Sequence, residues 1–186
     1  KDLIRDGHFL GKGKSAEVWR YRYKGVLVAV KRVKDASSLE REKFAAKPGL
    51  ENVVRVFGLC HVEESDELDS VVMEYSEYGS LKSVMETKPE IWTEERVFAA
   101  AESLLKALNS MEFAGLSHGD FKSDNVLVCQ GFVVKLGDFS EAALNAPSGV
   151  RSGTLEWKAP EVLLESEDAD RKASDRPITM NSSEPK

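Results

Sequence analysis

The stretch His118-Gly119-Asp120-Phe121-Lys122-Ser123-Asp124-Asn125, with Asp138-Phe139-Ser140 a short way downstream, concentrates the side chains best suited to chemistry in this chain. Between them, Val126-Leu127-Val128 and Val133-Val134-Lys135-Leu136 read as two short strands. A hairpin of those strands would bring Asn125 and Asp138 to neighbouring positions. Two oxygen ligands there suit magnesium, a hard cation that also takes phosphate oxygens. Asp120 falls on the same loop, where a carboxylate beside a metal-bound phosphate orients a hydroxyl and accepts its proton. Lys122 would neutralise charge on a phosphoryl group in transfer. The competing reading is an Asx-rich turn in which Asp120, Asp124 and Asn125 only satisfy backbone amides, but such a turn requires none of the distant partners.

Two further features need a partner to acquire meaning. Gly11-Lys12-Gly13-Lys14-Ser15-Ala16 offers glycines in a turn, where backbone amides can approach phosphate oxygens with no side chain in the way. Hairpin glycines also serve simply to supply positive φ. A dinucleotide-binding turn would open directly into a helix, whereas Val18-Trp19-Arg20-Tyr21 continues as a strand. Lys31 ends the apolar strand Val28-Ala29-Val30, so it either snorkels to water or finds an anion. The next segment supplies Glu40 and Glu42, either of which would hold the lysine over a phosphate.

The elements that must position these residues follow from pattern. Phe9 to Val33 reads as three strands of a small antiparallel sheet, with turns at Gly11, Gly13 and Gly25. Ser37 and Glu40 form a capping-box pattern that opens a short helix, which Pro48 and Gly49 close. Strands over roughly 53–62 and 68–75 flank an acidic loop of Glu63, Glu64, Asp66 and Glu67. After Gly79 the pattern turns helical, and Thr93 with Glu94 and Glu95 suits a helix start. Val97, Ala101, Leu104, Leu105 and Leu108 recur at helical spacing as one apolar face that needs a core.

Composition narrows the class. With 186 residues, 41% hydrophobic and 31% charged, the chain has the make-up of a globular protein with at most one catalytic unit. A net charge of -6 argues against non-specific nucleic-acid binding. Cys60 and Cys129 lie in apolar runs, so no disulfide framework is expected, and a reducing compartment, cytoplasmic or nuclear, fits best. The longest apolar run, Val26 to Val30, is too short to span a bilayer, and no membrane association is expected.

Taken together, these segments resemble the protein kinase catalytic domain, with glycine loop, strand lysine, catalytic loop and magnesium aspartate in order. The likeness implies an α+β, two-lobed fold with a small antiparallel-sheet lobe over about 1–75 and a partial helical lobe over about 79–175. It implies ATP and magnesium as cofactors and a protein as phosphate acceptor. Gly11, Lys12, Gly13, Ala16 and Val18 would then cover the nucleotide, Ala29 pack on the adenine, and Lys31 reach the phosphates, paired with Glu42. Glu74 and Ser76 would present backbone groups to the adenine, with Met73 behind it, Leu127 beneath it and Ser80 near the ribose. Asp120 becomes the catalytic base and Asn125 and Asp138 the metal ligands. Lys122 and Thr154 resemble the serine/threonine branch, while Trp157-Lys158 before Ala159-Pro160-Glu161 resembles the tyrosine-kinase-like group.

The chain departs from the family pattern in four ways. Ala16 stands in place of a third glycine. Gly119 replaces the arginine that pairs with a phosphorylated activation segment. Ser140 replaces the glycine after Asp138-Phe139, and its β-carbon restricts the backbone there. Finally, Ala173-Ser174-Asp175 resembles the start of the central large-lobe helix, which Pro177 would interrupt. The large lobe is therefore expected to be incomplete, with residues 176–186 as a flexible tail. Its apolar helix face would then need a partner, which leaves a non-catalytic ATP-binding or scaffold module as the alternative to an enzyme.

Overall fold

The computed structural model describes residues 2–13, 16–61, 69–145 and 153–163. Lys14 and Ser15 of the glycine turn, the acidic loop of Glu63 to Glu67, and the 173–177 segment with its tail lie outside the described residues.

The chain opens with strands β1 (Leu3–Lys12), β2 (Ala16–Tyr23) and β3 (Val26–Val33), followed by helix α1 (Ala36–Glu42) and a 3-10 turn at Lys43–Ala46. Strand β1 begins six residues before the expected Phe9. Strands β4 (Val56–Cys60) and β5 (Ser70–Glu74) complete an antiparallel five-stranded sheet in the order β1-β2-β3-β5-β4. Tyr23 pairs with Val26 across a two-residue turn, where Lys24 (φ 50°) and Gly25 (φ 84°) both take the left-handed conformation that matches the twist of the flanking strands. Strand β3 lies between two neighbours and is covered on both faces. Val28 and Val30 meet Tyr21 and Val72, while Ala29 and Val33 meet Ala16, Leu39, Val71 and Met73. This explains an unbroken apolar run in place of alternation.

The cap of α1 differs from the expected capping box. Asp35, not Ser37, occupies the N-cap, accepting the Ser38 N–H at 2.8 Å, while Glu40 pairs with Lys43. A carboxylate two residues upstream reaches the free amides of the first turn and displaces the serine. The Ser37 hydroxyl, with the amide and hydroxyl of Ser38, holds the Asp35 carboxyl down at about 2.

Helices α2 (Leu81–Thr87) and α3 (Glu94–Phe113) come next, with a 3-10 turn at Pro89–Ile91 between them. Then follow β6 (Leu116–Ser117), the hairpin of β7 (Val126–Val128) and β8 (Val134–Leu136), and β9 (Ala143–Leu144), which pairs with β6. Thr93 caps α3 through the Arg96 N–H, as its sequence predicts. The apolar face that the sequence left in need of a partner is largely exposed, and α3 packs through a different seam. Ala100, Ala107 and Met111 are buried, with Leu104 partly so, against Leu116, Val126, Val134, Leu136 and Phe139. Val97, Leu105 and Leu108 are exposed by 53%, 67% and 37%, and Ala101 is exposed too. Alanines 100 and 107 let the helix approach the hairpin closely, so the inner seam runs 100, 104, 107, 111, a spacing that larger residues conceal.

The sheet and the hairpin are joined by backbone pairing. Leu136 donates to Asn52 O at 2.8 Å and accepts from Val54 N at 2.8 Å. On the other side Val128 N donates to Gly79 O (2.9 Å) and Tyr78 N to Val128 O (3.2 Å). The hairpin carrying Asn125 and Asp138 at its ends is thus fixed both to the segment leading into β4 and to the connector after β5.

Candidate active site

The residues singled out by spacing converge on the junction between sheet and hairpin. Lys31, only 6% exposed, does not snorkel. Its ammonium lies 2.5 Å from Glu42 Oε1 and 2.6 Å from Asp138 Oδ1. Of the two candidate glutamates, Glu42 is the partner because it faces the sheet and is buried, whereas Glu40 is on the solvent side of α1. Burial by itself would lower the Lys31 pKa. The charges of Glu42 and Asp138 outweigh it and hold the ammonium above its ordinary value. Burial likewise pushes Asp138 up, and Lys31 with the Ser140 hydroxyl brings it below the usual carboxylate range.

Asp120 is held from several sides. Its Oδ1 accepts the amide and the hydroxyl of Thr154, each at 2.8 Å, and its Oδ2 lies 2.7 Å from Lys122 Nζ. Lys122 also donates to the Thr154 hydroxyl at 2.7 Å, so one hydroxyl bridges a carboxylate and an ammonium. Burial raises the Asp120 pKa, and the hydrogen bonds from Lys122 and Thr154 lower it by more, leaving the group ionised. His118 is buried beneath the loop. Its Nε2–H donates to Gly137 O (2.9 Å) and its Nδ1 accepts the Asp120 amide (3.4 Å), the tautomer these partners require. Desolvation lowers the pKa of this imidazole.

The Thr154 segment reaches Asp120 through a close backbone approach. Gly119 (φ 79°) and Gly153 (φ 100°) are both left-handed, and a Cβ on Gly153 would strike the Gly119 carbonyl. A pocket of about 180 Å³ opens beside them, lined by Asp120, Phe121, Thr154, Trp157, Lys158 and others.

Asn125 donates its amide to Asp120 O (2.8 Å) and Oδ2 (3.1 Å), which turns Oδ1 of Asn125 away from Asp120. Its own carbonyl accepts Gly137 N–H at 2.8 Å, placing it beside Asp138 as the hairpin argument requires. Among the described residues, the donors to Asp138 converge on Oδ1, and the side chain is 40% exposed. One oxygen from each residue therefore remains as a hard-ligand pair. No cluster of three or more His, Cys, Asp or Glu suited to a metal occurs among the described residues. The chemistry of an amide oxygen beside a carboxylate suits a hard divalent cation such as magnesium, which Asn125 and Asp138 would hold.

Val18, Ala29, Met73 and Leu127 share one apolar cluster with Ala16, and Ala29 pairs with Met73 across β3 and β5. These side chains form one apolar cluster between the sheet and Leu127 of the hairpin. Gly11 lies within β1, paired with Val18, and not in the expected turn, and neither it nor Gly13 takes a positive φ. Lys12 is turned to Glu17 at 2.7 Å on the surface. Glu74 binds Lys135 through its side chain (2.5 Å), and its amide donates to Arg55 O (2.8 Å). The Ser76 hydroxyl donates to Val128 O (2.7 Å) and Gly79 O (3.1 Å), and Ser80 caps α2 by accepting the Ser83 N–H. Sequence reasoning missed Arg41, which donates to Ser140 O across 99 positions, and the Ser140 hydroxyl on Asp138. No local pattern signals either contact.

Residues 4–176 match the protein kinase domain family. Among similar proteins, serine/threonine-protein kinase Tao of Drosophila melanogaster is 29% identical over 173 residues, 87% of this chain and 16% of that protein. Serine/threonine-protein kinase pakG of Dictyostelium discoideum is 27% identical over 164 residues, 83% of this chain and 14% of that protein. Aurora kinase of Encephalitozoon cuniculi is 27% identical over 175 residues, 87% of this chain and 63% of that protein. The chain thus spans a small part of the first two relatives and less than two thirds of the third.

Proposed function

Because this chain belongs to the protein kinase domain family, we propose that it transfers the terminal phosphate of ATP to serine and threonine hydroxyls of protein substrates. The observation that carries this reading is the Thr154 hydroxyl, which donates to Asp120 (2.8 Å) and accepts from Lys122 (2.7 Å). Thr154 thereby holds Asp120 and Lys122 side by side, where the carboxylate takes the proton of an acceptor hydroxyl and the ammonium offsets charge on the phosphoryl group.

In this reading Gly11, Gly13, Ala16 and Val18 close over the nucleotide, with Lys12 at the rim. Ala29, Met73 and Leu127 enclose the adenine, and the backbone of Glu74 and Ser76 meets its edge. Ser80 lies by the ribose. Lys31, aligned by Glu42, binds phosphate oxygens. Asn125 and Asp138 would hold magnesium, which when bound supplies positive charge against the phosphate oxygens. Asp120, kept ionised, orients the acceptor hydroxyl and takes its proton as the new O–P bond forms. Lys122 then offsets the charge gathering on the phosphoryl oxygens. The pocket beside Asp120, with Phe121 and Trp157 in its wall, suits a peptide segment next to the acceptor residue.

Lys122, two residues after Asp120, supports a serine/threonine acceptor, as do the names of the matched relatives. Cys60 and Cys129 are free thiols, which supports a reducing compartment such as the cytoplasm. No helix among the described residues is long and apolar enough to cross a membrane. Phosphoamino-acid analysis of a mixed-sequence acceptor protein, labelled from γ-labelled ATP with magnesium, tests the proposal. Phosphoserine and phosphothreonine are expected, and phosphotyrosine or no label would contradict it.

A further inference from the structure

We propose that Ser140 is a positioning residue for the metal-binding carboxylate, and that Arg41 anchors it to α1; this rests on the reading of Asp138 as a magnesium ligand. Asp138 has φ 60°, a left-handed conformation uncommon outside glycine. Aspartate tolerates this region better than most residues, and its surroundings decide how firmly it is held there.

Those surroundings are three consecutive ties. Asp138 Oδ1 accepts from Lys31 Nζ (2.6 Å), the Phe139 amide faces Glu42 Oε2 (3.4 Å), and the Ser140 carbonyl accepts from Arg41 Nε. Residues 138, 139 and 140 are thus each bonded to β3 or α1. Ser140 closes the set on itself, since its hydroxyl donates to Asp138 Oδ1 at 2.8 Å and its amide lies 3.4 Å from the same oxygen. A glycine at 140 keeps the amide contact and loses the hydroxyl. Arg41 is held in turn by Ser38 Oγ (3.2 Å), which donates to the capping Asp35 (2.8 Å), so the anchor reaches the start of α1.

With Oδ1 occupied by Lys31 and Ser140, rotation of the carboxylate is resisted and Oδ2 keeps one direction. A ligand fixed in advance binds its cation with less ordering cost, and loss of such outer partners weakens metal sites by roughly 10–100-fold.

The test is a magnesium titration of thermal stabilisation at a fixed concentration of an ATP analogue with a non-hydrolysable β–γ bridge. Parent, Ser140→Ala, Ser140→Gly and Ser140→Thr are compared, with Arg41→Ala as a second route that leaves Ser140 intact. The Ala and Gly variants are expected to raise the magnesium midpoint by about tenfold, while the metal-free analogue shift stays at the parental value. Ser140→Thr restores the midpoint, and Arg41→Ala raises it. An unchanged midpoint in Ser140→Ala and Arg41→Ala, with only a lower melting temperature, would make the contacts structural and overturn the inference. A parent stabilised by the analogue equally with and without magnesium would overturn the reading of Asp138 as a ligand, and the inference with it.

Discussion

Lys31 Nζ lies 2.6 Å from Asp138 Oδ1, a contact between residues 107 positions apart that joins the five-stranded sheet to the β7–β8 hairpin. Glu42 approaches the same ammonium at 2.5 Å from α1, so three elements meet on one buried charge.

Removing that charge separates stability from chemistry. Lys31→Met leaves the buried Glu42 carboxylate without its ion pair, a change expected to cost about 3–5 kcal/mol in urea unfolding. The double variant Lys31→Met/Glu42→Leu removes both charges, and it should regain most of that stability while phosphate transfer stays lost. Recovery of transfer in the double variant would show that Lys31 acts through the fold alone.

Thr154 gives a second test. Replacing it with valine keeps its amide on Asp120 and deletes the hydroxyl between Asp120 and Lys122. A hydrogen bond to charged groups contributes about 1.5–3 kcal/mol, so kcat should fall by roughly 10–100-fold with little change in KM for ATP. Thr154→Ser, which retains the hydroxyl, should stay near the parental kcat. Steady-state kinetics of the two variants decides.

His118 sets the acid limb of stability. Its folded pKa lies below the ordinary 6.5 because it is buried neutral. As pH falls through 6.5 the unfolded chain takes up a proton that the folded chain refuses, so stability declines from there downward. Asp120 and Asp138, whose folded pKa values are depressed, add a further loss at lower pH, as the folded carboxylates are protonated. The urea midpoint is expected to drop between pH 6.5 and about 5, and His118→Gln, which can make both hydrogen bonds without titrating, should flatten that drop. An equally steep drop in His118→Gln would assign it to other groups.

Helix α3 tests the packing. Met111→Ala, on the inner seam, is expected to cost about 2–5 kcal/mol. Leu105→Glu, on the outer face, should change stability by no more than about 0.5 kcal/mol and reduce binding of a hydrophobic dye. The reverse ranking in urea unfolding would show the face made by Val97, Ala101 and Leu108 to be the packed one.

Much of this was legible where local rules decide. The Lys24-Gly25 turn, the Thr93 cap and the two hairpins follow from turn and capping chemistry, and the order of motif residues pointed to a single site. What stayed hidden depends on how elements dock. Pattern alone left Glu40 and Glu42 open as partners of Lys31, a matter of how α1 is rotated on the sheet, and only the family likeness pointed to Glu42. Which face of α3 packs depended on two alanines, whose small size signals little by hydrophobicity yet permits close approach. Strands β6 and β9 are two residues each, too short to carry a period. Arg41 and Ser140 meet only because α1 lies against residues 138–140, which no spacing rule records.

If Asp120 and Lys31 serve phosphate transfer from ATP, their loss must all but abolish it. The direct measurement is incorporation of phosphate from γ-labelled ATP into an acceptor protein with magnesium, for the parent, Asp120→Asn and Lys31→Met, alongside equilibrium binding of magnesium–ATP. The parent should label the acceptor, Asp120→Asn should fall by roughly 10²–10⁴-fold while still binding nucleotide, and Lys31→Met should lose transfer. Equal labelling by all three proteins would contradict the account.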